Sequence, residues 1–132
     1  MDIAITNTPP KWQLWTGRVL SALPVLLMLM GVVMNFTHNP QAVAGNAHFG
    51  YQESAMLTVG ILALVSVVLY VIPQTAVFGA IVMTGYFGGA IATHIRISDP
   101  GWPAALVCGV LVWAGLWLRD TRLRALLPLR RG

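Results

Sequence analysis

Four uninterrupted apolar stretches divide this chain, at residues 17–36, 54–72, 75–95 and 103–118. Each is close to the roughly 20 residues that cross a 30 Å hydrocarbon layer. That feature removes most folds from consideration. In lipid every backbone N–H and C=O must find its partner inside the protein, so isolated stretches of this length become helices. Composition agrees: 57% of the 132 residues are hydrophobic and only 9% charged, against about 25% charged in a soluble domain. So few charges cannot cover a water-soluble globule of this size. The only ionised residue inside a stretch is Arg18, at the start of the first.

The expected fold is therefore all-α, an integral membrane four-helix bundle running up-down-up-down. A few residues around Pro73-Gln74 separate the second and third stretches, which makes them an antiparallel hairpin. Pro103 suits the first turn of the fourth helix, and Pro24 is expected to kink the first. Little chain is left for loops. We expect a short N-terminal segment (1–16), the four-helix domain (17–119) and a basic tail (120–132).

The formal net charge of +4 matters less than where the charges fall. Lys11 and Arg18 precede or open the first stretch, and Arg119, Arg122, Arg124, Arg130 and Arg131 follow the last. The connection at 37–53 has no Lys or Arg. By the positive-inside rule both termini are expected in the cytoplasm and the protein in a bacterial inner membrane. Reading the first stretch as a secretory leader is disfavoured, because its apolar run is long and Ala42-Val43-Ala44 lies too far beyond it. The tail, with Leu123, Leu126 and Leu127 between its arginines, reads as a topology anchor or an interfacial helix on anionic lipid. It is too short to suggest nucleic-acid binding. Cys108 is the only cysteine, which excludes an intramolecular disulfide and Cys-x-x-Cys dithiol chemistry.

Polar residues gather at one predicted membrane face. Asn35, His38, Asn39, Asn46, His48, Tyr51, Gln52 and Glu53 lie around the first connection. Thr93, His94, Arg96, Ser98 and Asp99 lie around the third. The connection at Pro73-Gln74-Thr75 has no ionisable residue. Most of these polar groups are ordinary loop chemistry. His94 and Glu53 are not, since each occupies or adjoins an apolar stretch, where an ionisable group raises a functional hypothesis. Tyr86, Ala90 and His94 share one helical face. Gly85-x-x-x-Gly89 lies on the adjacent face, a small-xxx-small pattern expected to admit a neighbouring helix beside His94. Arg96 reads as an interface anchor, a partner of Asp99 or a ligand contact. His48, Glu53 and His94 have the chemistry to hold zinc or non-haem iron, but no dense pattern such as His-x-x-x-His occurs, and no metal is expected.

Several of these residues carry a resemblance. Phe49-Gly50-Tyr51-Gln52-Glu53, Gly60, Pro73 and the run Gly85-Tyr86-Phe87-Gly88-Gly89-Ala90-Ile91-Ala92-Thr93-His94-Ile95-Arg96 resemble the DoxX-like family of small four-helix membrane proteins, over residues 16–120. The family pattern often has Pro where this chain has Gln52. The resemblance implies a four-helix bundle and, for some relatives, association with redox or quinone-linked systems. No haem-ligand pair, flavin motif or dithiol stands out in this sequence.

The leading functional expectation is a pocket at the extracytoplasmic end, lined by His94 and Glu53 with His48, Arg96, Tyr86 and Asn35 nearby. It would bind a lipophilic, quinone-like ligand, in an oxidoreductase or in an accessory to a redox system. His94 would donate a hydrogen bond or proton, Glu53 would set its tautomer, and Arg96 would steady negative charge. Two other readings stay open. One is a cofactor-free membrane isomerase or cyclase that uses His94 and Glu53 as acid and base. The other is a non-catalytic assembly subunit in which the polar cluster is a clasp. Expected partners are membrane lipid, a lipophilic small molecule and a membrane or redox protein.

Overall fold

A computed structural model describes residues 9–126. The described residues form helices α1 (Lys11–Phe36), α2 (Pro40–His48), α3 (Ala55–Val71), α4 (Ala76–Arg96), α5 (Trp102–Arg119) and α6 (Thr121–Arg124), with a 3-10 turn (Pro73–Thr75) joining α3 to α4. No strand occurs among them. Three helices, α1, α4 and α5, are long and apolar enough to cross a membrane. The 17 residues of α3 make a helix of about 26 Å, a little shorter than the hydrocarbon layer. Arg130, Arg131 and Leu127 of the expected basic tail lie outside the described residues.

Each long helix packs on two others: α1 on α3 and α5, and α4 on α3 and α5. The centre is filled by Met28, Ala63, Val67, Ala80, Met83, Phe87, Val112 and Leu116, all buried. The outside is also apolar. Leu23, Leu26, Met30, Leu57, Ile61, Phe78, Ile81, Val107 and Val110 are exposed. A soluble protein rarely shows so large a continuous apolar surface; here it forms a belt for lipid. Trp12 and Trp15 extend α1 beyond the apolar stretch and are 64% and 60% exposed, as expected of rings at a membrane boundary. Pro24 is buried inside α1, which continues through it. Pro103 sits in the first turn of α5.

Close approach is made by glycines other than the expected ones. A Cβ at Gly17 would lie 2.7 Å from the Gly115 carbonyl oxygen, and one at Gly115 would run into Ser21 Oγ. These two residues let α1 and α5 touch backbone to backbone. Gly79 does the same against Tyr70 in the α3–α4 hairpin, and Gly60 leaves room for the Phe36 ring. Gly85 and Gly89, expected to meet a neighbouring helix, have nothing within 4 Å of an added Cβ. Their face of α4 points away from the packed seams.

The helix ends at the polar face stop in one way. After α1, His38 N donates to Asn35 O and Asn39 N to Met34 O. After α2, Gly50 N donates to Ala47 O and Tyr51 N to Asn46 O. After α4, Ser98 N donates to Ile95 O and Asp99 N to His94 O. Each pair is a Schellman motif, which requires one left-handed residue. His38 (φ 51°), Gly50 (φ 87°) and Ser98 (φ 58°) take that conformation. Only Gly50 does so without steric cost. The connection expected as a loop at 37–53 contains α2, which Asn39 caps by accepting from Gln41 N at 2.9 Å.

Candidate functional site

The Schellman turn after α4 brings Asp99 back over the helix end it has just left. Asp99 Oδ1 lies 2.8 Å from His94 Nδ1. The same oxygen accepts Gly101 N–H at 2.8 Å, which pins the carboxylate against the start of α5. Asp99 Oδ2 lies 3.3 Å from His48 Nε2, at the end of α2. These hydrogen bonds, the His94 contact foremost and the Gly101 backbone next, hold the Asp99 carboxyl below the usual aspartate range, since each favours the charged form. The Phe49 ring stands edge-on to both imidazoles, with centroids 5.1 Å from His48 and 4.5 Å from His94.

An ionised carboxylate only accepts hydrogen bonds, so His94 must present N–H at Nδ1. Its Nε2 makes no hydrogen bond with a described residue. His94 is about a quarter exposed, at 23%. It lines a cavity of about 360 Å³ with Asn46, Phe49, Tyr51, Tyr86 and Thr93. Val59, Leu62 and Ala90 supply apolar wall, and Gly85 and Gly89 lie along it. The side chains those glycines lack are what leave the space. Tyr51 Oη lies 3.0 Å from Thr93 Oγ1, and Thr93 in turn donates to Gly89 O at 2.8 Å. The polar groups are thus held by bonds to one another, around an apolar floor.

The other expected site residues fall in different places. Tyr86 lines the cavity with His94. Asn35 is one step away: its Oδ1 accepts from Asn46 Nδ2 at 3.2 Å, while its own amide donates to Gly31 O at 2.7 Å. His48 is outside the cavity on the far side of Asp99. Arg96 donates to the Phe49 carbonyl oxygen and holds the loop that carries that ring. Glu53 is exposed, just before α3, with no hydrogen bond joining its carboxylate to His94. Asp99 is the acid that meets His94. Among the described residues no group of three His, Cys, Asp or Glu side chains is placed to hold a metal ion. Asp99, Phe49, Tyr51 and Thr93 were not among the expected site residues. The available signal was the Asp99-Pro100-Gly101 turn, whose acid sits five residues after His94.

A larger groove of about 800 Å³ runs between α4 and α5. It is almost wholly apolar, and the Trp113 indole donates to Thr84 Oγ1 there at 2.6 Å. It shares no lining residue with the ionisable cluster and continues the lipid-facing belt.

These features define an integral membrane protein of helical hairpins with a small polar-lined cavity at one end. The sequence model of the DoxX-like family matches residues 19–115, well over half of the chain, and the protein belongs to that family. No curated protein and no solved structure gives a significant match.

Proposed function

We propose that the four long helices span an inner membrane up-down-up-down, with the His94 end extracytoplasmic, and that the His94 cavity binds the ring of a lipophilic, quinone-like ligand. The observation that carries this reading is the placing of one partly buried imidazole, fixed through Nδ1, at the edge of an apolar cavity. The volume is at the lower end of the about 300–1,000 Å³ common for small-molecule pockets, enough for a single substituted ring. A tail would leave along Val59 and Leu62 towards lipid. With Nδ1 protonated, a neutral His94 offers Nε2 as acceptor to a quinol hydroxyl; once protonated, the same nitrogen donates to a quinone oxygen. Asp99 sets the His94 tautomer, the role expected of Glu53, and stabilises the imidazolium. Tyr51, Tyr86 and Thr93 supply further hydroxyls at the rim. The protein would then serve a redox system, as quinone oxidoreductase component or accessory.

One observation favours a second reading. Asp99 ties α2, α4 and α5 together, and Arg96 ties α4 to the Phe49 loop, as a clasp would. The two readings separate on one experiment. Protein purified from its own membrane is stripped of detergent in the gas phase and its bound small molecules are identified by native mass spectrometry. A quinone or similar ring lipid carried by the wild type and absent from Gly89→Leu, which fills the cavity without touching the clasp, supports the ligand site. Equal small-molecule content in both sinks it and leaves the clasp.

A further inference from the structure

The opposite end of the bundle holds a second cavity, with two arginines in its wall and unrelated to His94. It measures about 240 Å³ and is lined by Arg18 and Ser21 of α1, Tyr70 of α3 and Arg119 of α5, with Ala22, Val25 and Val71 as apolar wall. Gly17 and Gly115 create it indirectly: their close contact draws the stem of Arg119 across α1, with its Cγ 2.6 Å from where a Gly17 Cβ would be. The guanidinium then lies over the Tyr70 ring, 5.3 Å from its centroid. Arg18 lies over Trp15 at 5.1 Å. Tyr70 is committed elsewhere, its hydroxyl 2.9 Å from Ser21 Oγ and donating to Val112 O at 2.7 Å.

Two arginines therefore line one cavity whose described lining includes no carboxylate. Neither makes a hydrogen bond or an ion pair with a described residue. Arg119 Nε is sealed from solvent and has no hydrogen-bond partner, a costly state for a charged donor. The nearest carboxylate, Asp120, is already used: Oδ1 accepts Arg122 N–H at 2.9 Å and sits 3.8 Å from Arg122 Nε. Among the described residues at this end, Lys11, Arg18, Arg119, Arg122 and Arg124 face one acid, Asp120. Stacking on an aromatic face leaves the in-plane N–H groups of a guanidinium free to bind a tetrahedral oxyanion in bidentate fashion. The cavity lies where the apolar belt ends and headgroups begin.

We propose that Arg18 and Arg119 form a binding site for a phosphate group, presented by an anionic phospholipid headgroup or by soluble phosphate. The test uses the full chain in detergent micelles, with phosphatidylglycerol, phosphatidylcholine and inorganic phosphate as probes, and bound lipid counted by native mass spectrometry. Phosphatidylglycerol is expected to be retained over phosphatidylcholine. Arg119→Gln and Arg18→Gln should each weaken that binding by roughly tenfold, the scale of one lost charge-assisted contact. Arg122→Gln, which removes a charge of the same end outside the cavity, should leave it unchanged. Lipid that survives millimolar inorganic phosphate assigns the site to the headgroup; lipid displaced by it assigns the site to soluble phosphate. If Arg119→Gln does not fold, Arg18→Gln decides alone, because Arg18 is exposed. Equal retention of the two lipids without phosphate binding overturns the proposal. So does a loss in Arg122→Gln as large as in Arg18→Gln.

Discussion

Asp99 collects three donors on one carboxylate, and its behaviour follows from them. Its lowered pKa means that the folded state holds the charged form more tightly than the unfolded chain does. The stability this contributes is complete above the ordinary aspartate value of 3.8 and is lost as pH falls from there through the lower folded value. Asp99→Asn should therefore flatten the acid limb of a plot of melting temperature against pH in detergent, measured between about pH 3 and 7. Superimposable acid limbs for variant and wild type would show that the carboxylate is not held as described. His94 was legible in the sequence because an imidazole at the end of an apolar run has few innocent explanations. Its acid was not. Asp99 reaches His94 only because Ser98 adopts a left-handed conformation, and a serine does not advertise that turn as a glycine would. Glu53, adjoining the second apolar stretch, was the more visible carboxylate, but chain order says nothing about where the α2–α3 loop turns it.

Helix packing separates glycines that look alike in the sequence. Gly85 and Gly89 form the recognisable stripe, yet they border a cavity; Gly17 and Gly115, far apart in the chain, make the tight α1–α5 seam. No spacing rule tells which face of α4 turns inward when lipid and core are equally apolar, so the stripe could be found but not aimed. The consequence is a contrast between two variants. Gly115→Leu should cost about 1–3 kcal/mol through overpacking and visibly lower the melting temperature. Gly89→Leu should leave it nearly unchanged while closing the His94 cavity. Equal losses would mean that both glycines sit in packed seams. The helix ends give a prediction of the opposite sign. His38 is exposed and its side chain makes no hydrogen bond with a described residue, but it holds the left-handed position that ends α1. His38→Gly should relieve roughly 1 kcal/mol of that strain and raise the melting temperature. A lower one would show that the imidazole contributes more than its backbone costs.

For the molecule as a whole, the four apolar stretches were enough to anticipate helices at nearly the right places, because length and the absence of charge are dictated by the hydrocarbon layer. The helix α2 was not anticipated, since Pro40–His48 is short and nearly neutral in character and is specified by the Asn39 cap and two flanking turns. The orientation proposed here rests on Lys11, Arg18 and the arginines from 119 onward. In a variant lacking Cys108, cysteines placed at Ala47 and Ala125 should be labelled from opposite sides of the membrane by an impermeant reagent, with position 47 outside. Labelling of position 47 from the cytoplasm alone would invert the orientation. The central claim is that the His94 cavity binds a ligand and is more than a clasp. It is tested most directly by the equilibrium affinity of a short-chain benzoquinol for His94→Ala and wild type in the same nanodiscs, with melting temperature measured on the same preparations. A ligand site at His94 should lose affinity by about tenfold or more, the scale of one buried hydrogen bond, with the fold nearly as stable as before. Undiminished affinity in a stably folded His94→Ala variant would contradict it.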